Sequence, residues 1–277
     1  MKKNLLPALL ALAAGTLVAA EPPPITARSA ILFDANSGRV ILKKNEDERR
    51  PVASTQKLLT AYIVANAGDL SQMVAIKETD TNCEPTKLYI RPGQQYSRSQ
   101  LLHGLLVHSG NDAARALARD NAGSVADFAH RMNSTMRYLG GYSSNFQNPN
   151  GLPADDQYSS ARDMARVARA AYRDPVLREI MKTRSYTFRF TTGRTTTWKN
   201  TNRVLRYYSF CNGMKTGYTE KAGHCLISSG SYNGRDVIAI VLGDSKSRIW
   251  NESANLLAYG LGISQGDMEK FRIPGAE

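Results

Sequence analysis

Cysteine, histidine and tryptophan are scarce in this sequence of 277 residues, which contains three, four and two of them. Three cysteines cannot form the disulfide framework on which small secreted domains depend. The histidines are His103, His108, His130 and His224, and they do not form the His-Glu-x-x-His pattern of a metal hydrolase. We therefore expect neither a metal nor another cofactor.

Long hydrophobic runs are missing beyond the N-terminus. The run over residues 5–18 follows Lys2 and Lys3, contains Pro7 and ends in small residues. It is shorter than the roughly 20 residues that span a bilayer, so a cleaved signal peptide is favoured over a membrane anchor. The sequence predicts a signal peptide over residues 1–20, export to a periplasm or cell-wall space, and no integral membrane span after cleavage.

Acidic residues are outnumbered, with 24 Asp and Glu against 36 Lys and Arg, a formal net charge of +12. The predicted signal peptide carries two lysines and no acid, so cleavage lowers the charge to +10. Such an excess favours an anionic partner, for example an acidic wall polymer. The basic residues are scattered and no zinc-finger or RNA-binding signature accompanies them, so we expect no nucleic-acid partner.

The order of the predicted elements indicates an α+β domain. Two β-rich runs predict an antiparallel hairpin over residues 27–45, and an apolar run predicts a buried helix over 54–65. Further helices are predicted over residues 99–118 with a break at 109–110, and over 125–139, 160–172 and 251–259; strands are predicted over 185–191, 210–216, 224–229 and 237–242. We expect the first and last strands to share one sheet, with the helices packed beside it in a single domain over residues 21–277.

A serine and a lysine lie one helical turn apart in Ser54-Thr-Gln-Lys57, at the start of the helix predicted over 54–65. Residues three apart on a helix have Cβ atoms about 5–6 Å apart, so the amine can reach the hydroxyl. Lys57 can act as a base only if burial or a neighbouring cation lowers its pKa. Taken alone, the pattern also fits a capped helix with a solvated lysine.

Two further motifs follow in the chain. Ser109-Gly-Asn111 lies in the break between two helical segments, and Lys215-Thr-Gly217 lies at the end of a predicted strand. Serine hydroxyls, two amines, an amide and a strand edge are the groups that a metal-free acyl transfer requires. The order and setting of the three motifs match those of serine penicillin-binding proteins and β-lactamases.

With these motifs, the sequence resembles the low-molecular-mass penicillin-binding proteins, which are serine D-Ala-D-Ala carboxypeptidases and endopeptidases. The resemblance covers about residues 27–261. The segments that carry it include Arg50-Pro-Val-Ala-Ser-Thr-Gln-Lys57, Leu105-Leu-Val-His-Ser-Gly-Asn-Asp-Ala-Ala114, Asn148-Pro-Asn-Gly-Leu152, Asn200-Thr-Asn202 and Gly213-Met-Lys-Thr-Gly-Tyr-Thr219. It implies a β-lactamase/transpeptidase-like fold, a central antiparallel sheet flanked by helices with a helical subdomain. It also implies peptidoglycan stem peptides as substrates and β-lactam antibiotics as covalent inhibitors.

The resemblance assigns catalytic roles to matching positions. Ser54 would attack the carbonyl of the terminal D-Ala-D-Ala bond and form an acyl-enzyme, and Lys57 would take its proton. Ser109 would relay a proton to the leaving D-alanine. Asn111 would hold the substrate's peptide carbonyl and orient Lys57, and Lys215 would contribute positive charge near the substrate carboxylate.

The same resemblance implies the residues that bind substrate. Thr216 would hydrogen-bond to the substrate carboxylate beside Gly217, and the backbone N–H groups of Ser54 and Tyr218 would form the oxyanion hole. Family members often carry an arginine near the start of the C-terminal helix. Arg248 stands one residue out of register with that position.

Several alternatives stay open. Ala222-Gly-His-Cys-Leu226 resembles the endopeptidase branch, whereas the Ser-Gly-Asn form resembles the carboxypeptidase branch. A class A β-lactamase needs a glutamate after the second motif, but the only Glu-x-x-x-Asn pattern, Glu78 to Asn82, precedes it. A non-catalytic penicillin sensor or wall-binding module and a polyanion-binding protein are the remaining alternatives. After Leu261 the chain is short and polar, so we expect no second domain and no C-terminal anchor.

Cys211 and Cys225 flank a predicted turn nearly symmetrically and could face each other on paired strands. Export permits a disulfide between them, but Cys225 fits equally well as a small buried apolar residue. The bridge stays open at this point, and with it Cys83 would be unpaired.

Overall fold

The computed structural model describes residues 21–275, so the signal peptide predicted over residues 1–20 lies outside the described residues. The strands are β1 (Ser29–Asp34), β2 (Val40–Lys44), β3 (Met73–Ala75), β4 (Gln95–Ser97), β5 (Ser185–Arg189), β6 (Thr195–Lys199), β7 (Cys211–Thr219), β8 (Gly223–Tyr232) and β9 (Arg235–Asp244). The α-helices are α1 (Lys57–Ala65), α2 (Glu78–Thr81), α3 (Arg98–His103), α4 (Asn111–Ala122), α5 (Val125–Tyr138), α6 (Ala161–Arg173), α7 (Pro175–Met181), α8 (Arg203–Tyr207) and α9 (Ile249–Leu261). Within this part of the chain, no helix is long and apolar enough to cross a bilayer.

A five-stranded antiparallel sheet in the order β2-β1-β9-β8-β7 forms the centre of the molecule. Strand β1 pairs along its whole length with β9, which confirms that the first and last strands share one sheet. Because side chains alternate along a strand, the sheet has two apolar faces. Ile31 and Ile240 belong to the core shared with the helical block, whereas Leu32 and Val241 belong to the core shared with α9.

Helix α1 lies inside the helical block, where it contacts α4, α5 and α6. Leu58, Leu59 and Val64 are fully buried, as expected of a helix surrounded by other elements. The helix predicted over 54–65 is confirmed from Lys57 onward. The turn before it, Ala53–Gln56, is a 3-10 helix, and Ala53 at its start has a φ of 50°, outside the right-handed helical region.

The helices predicted over 99–118, 125–139 and 160–172 are confirmed, but α4 extends four residues beyond the predicted end. A π-helical turn, Gly104–His108, ends at Ser109, whose φ is 74°, and α4 begins two residues later. The Ser160 hydroxyl accepts a hydrogen bond from the Asp163 N–H at the start of α6, which satisfies an N–H group that has no partner inside the helix.

A small β-hairpin, β5 paired with β6, lies outside the main sheet. The strand predicted over 185–191 corresponds to β5, but β6 and α7 are absent from the sequence-based prediction. Strand β6 consists largely of exposed threonines, and its large apolar residue Trp198 packs 5.7 Å from Phe188 between ring centroids. Helix α7 is only two turns long, too short for a clear hydrophobic period.

Strand β7 continues to Thr219, so the Lys215-Thr-Gly217 motif lies within the strand and not at its end. Cys211 lies opposite Gly230, and Cys225 lies opposite Gly217. The two cysteines are therefore about 20 Å apart along the strands, whereas a disulfide needs Cα atoms within about 7 Å. The register rules out the bridge, and all three cysteines are free and buried.

We predict that all three cysteines stay unlinked in the folded protein. Burial raises the pKa of Cys83 and Cys225 to about 11 and that of Cys211 to about 12, so the reactive thiolate is scarce at neutral pH. Iodoacetamide without reductant should label the native protein slowly and label three cysteines after denaturation, as read by intact mass. A denatured protein that takes up one label would contradict the strand register.

Candidate active site

The Ser54 hydroxyl and the Lys57 amine meet where the 3-10 turn passes into α1. Lys57 Nζ lies 2.7 Å from Ser54 Oγ, the contact that their spacing in the sequence predicts. The Lys57 side chain is fully buried. Its position in the fold, and not its residue type, makes it different from a surface lysine.

Two further oxygens surround the same amine. Asn111 Oδ1 lies 2.8 Å from Lys57 Nζ, and the main-chain oxygen of Asn150 lies 2.6 Å from it. These two oxygens can only accept hydrogen bonds, whereas the Ser54 hydroxyl can also donate one. A neutral amine with two N–H groups therefore satisfies both acceptors and directs its lone pair at the Ser54 hydroxyl. The arrangement suits transfer of the serine proton to the lysine.

Burial holds the pKa of Lys57 well below its usual value, and the positive charge of Lys215 lowers it further. Cys83 and Asp112 act in the opposite direction, but more weakly. Both conditions that the sequence analysis set for a basic lysine, burial and a neighbouring cation, are thus present.

Main-chain carbonyl groups orient the Asn111 amide. The side-chain Nδ2 of Asn111 donates to the Glu84 main-chain oxygen at 3.1 Å, and the main-chain N–H of Asn111 donates to the Thr86 oxygen at 2.8 Å. Because the amide nitrogen is bound to a carbonyl oxygen, the amide oxygen faces Lys57.

The loop over residues 148–150 is attached to the start of α1 by three consecutive carbonyl groups. Gln56, Lys57 and Thr60 donate hydrogen bonds to the oxygens of residues 148, 150 and 149 at 2.6, 2.6 and 2.7 Å. Sequence reasoning gave this loop no role beyond its resemblance to the family. The Asn-Pro-Asn-Gly turn was the signal that could have identified it.

Two glycines allow other elements to touch the turn that carries Ser54. A Cβ on Gly151, whose φ is 83°, would lie 2.2 Å from the Ala53 oxygen and 2.9 Å from the Ser54 nitrogen. A Cβ on Gly217 of β7 would also lie 2.9 Å from the Ser54 nitrogen. The loop and the edge strand therefore enclose the Ser54 turn from two sides.

Strand β7 is the outer strand of the sheet and brings Lys215 and Thr216 beside this turn. Lys215 is fully buried, its Nζ donates to the Thr216 oxygen at 2.9 Å, and burial lowers its pKa to about 7. The Thr216 hydroxyl donates to the hydroxyl of Thr201 at 2.7 Å. Thr201 lies in the Asn-Thr-Asn segment, which was noted in the sequence but given no role.

Three further candidates, Ser109, Tyr218 and Arg248, form no hydrogen bond with Ser54 or Lys57 through their side chains within the described residues. The Ser109 hydroxyl makes no hydrogen bond within residues 21–275, and the exposed ring of Tyr218 stacks on His224 with 4.4 Å between centroids. The Arg248 side chain is exposed and forms an ion pair with Asp244 at 3.3 Å. Among the described residues, no hydrogen bond or ion pair joins Arg248 to the other candidates. In the same part of the chain, no group of three His, Cys, Asp or Glu residues could hold a metal ion.

The protein has an antiparallel sheet whose edge strand borders a buried Ser–Lys pair. Its fold is that of the β-lactamase-like DD-peptidases and transpeptidases. The family described as D-alanyl-D-alanine carboxypeptidase, Peptidase_S11, matches residues 16–246, and the chain belongs to this family.

Individual relatives agree with this assignment. The chain is 37% identical over 257 residues to D-alanyl-D-alanine carboxypeptidase DacA of Escherichia coli (strain K12), covering 86% of this chain and 61% of that protein. It is 32% identical over 276 residues to the D-alanyl-D-alanine carboxypeptidase of Streptomyces sp. (strain K15), covering 91% and 94%. The D-alanyl-D-alanine carboxypeptidase structure from Mycobacterium tuberculosis H37Rv matches with a TM-score of 0.83 and 30% identity over 90% of this chain and 96% of that one. The chain thus spans about three fifths of the Escherichia coli relative.

The close packing at Gly151 predicts a steric effect on the site. Gly151→Ala should destabilise the protein and slow acylation by penicillin by at least about tenfold, because the new Cβ displaces the Ala53 carbonyl and the Ser54 N–H group. Gly123→Ala is the matched control, since Gly123 has a φ of 86° but nothing within 4 Å of its Cβ position. It should lose about 1 kcal/mol of stability through backbone strain alone and acylate at the normal rate. Equal acylation rates in both variants would contradict the role of the contact.

Lys215 should make stability depend on pH. Its pKa is about 7 in the folded protein against the usual 10.5. Between these values the unfolded chain binds a proton that the folded chain lacks, so the free energy of unfolding rises with pH by up to about 1.4 kcal/mol per pH unit. Below pH 7 both states carry the proton, and this stability is absent.

Urea unfolding at pH 7.5 and 9.5 measures this slope. Lys215→Met should reduce the slope, whereas Lys199→Met, at an exposed position of β6, should retain it. The same slope in the wild type and in Lys215→Met would show that Lys215 is not buried as a neutral amine.

Proposed function

We propose that this chain is a serine-type D-Ala-D-Ala carboxypeptidase that trims peptidoglycan stem peptides through an acyl-enzyme on Ser54. The observation that carries the proposal is the fully buried Lys57 amine, 2.7 Å from the Ser54 hydroxyl and depressed in pKa. The catalytic domain begins after the signal peptide proposed for residues 1–20 and covers residues 21–277. The protein acts in the periplasm or cell-wall space, and β-lactam antibiotics inhibit it covalently.

Acylation begins when the Ser54 oxygen attacks the carbonyl carbon of the penultimate D-alanine while neutral Lys57 accepts the serine proton. The N–H groups of Ser54 and Tyr218 stabilise the negative charge that develops on the carbonyl oxygen. Loss of one such donor typically raises the barrier by about 2.7–4 kcal/mol. Asn111 holds the substrate's peptide carbonyl and keeps the Lys57 lone pair aligned.

The leaving group then departs as free D-alanine. Ser109 relays the proton from Lys57 to the nitrogen of the breaking peptide bond. Lys215 and Thr216 bind the terminal carboxylate, which favours the charged form of the lysine. Gly217 lets β7 approach the Ser54 turn, so that a peptide bound along β7 lies beside the nucleophile. Water finally attacks the ester, its proton passes to Lys57, and Ser54 is regenerated.

Arg248 contributes positive charge for the same carboxylate in this proposal. The support for it is its position at the start of α9, next to the sheet end that holds Asp244 and, across the strands, His224. To reach a substrate, its side chain must leave the ion pair with Asp244.

A D,D-endopeptidase is the second candidate. His224 lies in the segment that resembles the endopeptidase branch, and its ring stacks on Tyr218 of β7. An aromatic pair at this position could contact the longer leaving group of a cross-linked dimer.

Purified wall fragments, analysed by mass spectrometry, distinguish these activities. We expect the wild type to remove one D-alanine from pentapeptides. The rate of D-alanine release should fall by at least about 10⁴-fold in Ser54→Ala and in Lys57→Met, because the nucleophile and its base act as a unit. Penicillin should add covalently to the wild type and not to either variant. Ser134→Ala and Lys182→Met change exposed residues and should match the wild type.

Each other outcome contradicts the carboxypeptidase proposal in its own way. Conversion of dimers to monomers without D-alanine release identifies an endopeptidase. Fast repeated turnover of penicillin identifies a β-lactamase. Labelling of Ser54 without any product identifies a penicillin sensor or wall-binding module.

A further inference from the structure

A groove of about 630 Å³ lies between the segment over residues 87–94 and the hairpin of β5 and β6. Lys87, Arg91 and Arg194 line it, and none of its lining residues is acidic. This groove, called the basic groove below, is separate from the cluster around Ser54 and is not used by the mechanism above.

The two arginines leave the basic groove with uncompensated positive charge. Arg91 and Arg194 are exposed, and neither forms an ion pair within residues 21–275. The Arg194 guanidinium lies 3.9 Å from the centroid of the Phe190 ring, which holds it at the groove wall. Lys87 is already paired with Glu84 at 2.5 Å. An anionic group in the groove would therefore meet two free guanidinium groups.

One wall of the basic groove, the segment over residues 87–94, is held by Asp112, the residue that follows Asn111. The buried carboxylate of Asp112 accepts hydrogen bonds from the N–H groups of Leu88 and Tyr89, both at 2.9 Å. Tyr89 has a φ of 62° and a ring that is 65% exposed. A strained backbone conformation of this kind costs stability and is typical of functional sites. The exposed ring of Tyr89, held in place through Asp112, is therefore typical of a binding surface.

His108, the residue before Ser109, contacts both the segment over residues 87–94 and the β5–β6 hairpin. Its Nε2 lies 3.2 Å from the Lys87 oxygen, and its ring stacks on Trp198 with 4.4 Å between centroids. Burial lowers the pKa of His108. The basic groove therefore lies next to the helix end that carries His108 and Ser109.

We propose that the basic groove binds a free carboxylate of the acyl-donor peptide, on the N-terminal side of the scissile bond. The proposal rests on the proposed function, because it extends the same substrate away from Ser54. Two free guanidinium groups beside an aromatic ring match one or two carboxylates of a short acidic peptide. A polyanion would need a longer row of phosphate-binding cations.

Two synthetic peptides test the groove directly. Both peptides have the sequence γ-D-Glu-L-Lys-D-Ala-D-Ala, with the lysine acetylated on its side-chain amine. They differ only in whether the α-carboxyl group of the D-glutamate is free or amidated. Binding is measured by calorimetry with the Ser54→Ala protein, so that no turnover is needed. We expect the free acid to bind roughly fivefold more tightly than the amide, and the ratio to fall as salt is raised.

The double variant R91Q/R194Q, made in the Ser54→Ala protein, should bring the ratio to about 1 without changing the affinity for the amide. The control R131Q/R137Q removes the same charge from exposed positions of α5 and should keep the ratio. Equal affinities for the two peptides, or a ratio that R91Q/R194Q leaves intact, would overturn the proposal. Absence of D-alanine release by the wild type would refute the proposed function alone, since the binding ratio does not depend on it.

Discussion

The buried amine of Lys57, shared among three oxygen atoms, is the interaction on which the rest of the site depends. A charged amine in a protein interior costs several kcal/mol unless it is fully paired, and no carboxylate among residues 21–275 forms an ion pair with Lys57. The neutral form avoids this cost, and its two N–H groups match the two pure acceptors, Asn111 Oδ1 and the Asn150 oxygen. The lone pair that is left over faces the Ser54 hydroxyl. Lys57 is therefore a base because the fold shields its amine from solvent and places no carboxylate of the described residues beside it.

A second buried amine reinforces the first. Lys215 belongs to β7 in the sheet, whereas Lys57 belongs to the helical block, and each is fully shielded from solvent. A positive charge on Lys215 disfavours a second one on Lys57, which is why Lys215 lowers the pKa of Lys57. This coupling requires that the sheet edge and the helix start come together, and the absence of a side chain at Gly151 and Gly217 permits that approach.

The amine cluster is enclosed, and two other notable groups of residues lie outside it. Tyr218 and His224 form a stacked pair on β7 and β8, and Arg91 and Arg194 line the basic groove. These residues can change without altering the amine cluster, because none of them contacts Lys57. Proteins that share one acyl-transfer centre can thus differ in the peptides they accept through residues outside that centre.

Local features were predictable from the sequence: the contact of Ser54 with Lys57, the break before Asn111 and the N-terminus of α6. These follow from helical periodicity, caps and turns, which act over a few residues. It also indicated the family, through motifs whose order and setting were readable. It could not indicate the Asn150 carbonyl as a partner of Lys57, because that contact joins residues 93 positions apart.

Only the tertiary structure decided that Lys57 is buried, how far β7 extends and that Cys211 and Cys225 are apart. Burial depends on helices α4, α5 and α6 meeting around α1. The separation of the cysteines depends on the register of β7 with β8, which shifts at a bulge between Cys211 and Gly213. The lowered pKa of Lys57 and the strand register share one physical reason. Both are set by contacts between segments far apart in the chain, and residue spacing within one segment carries no information about them.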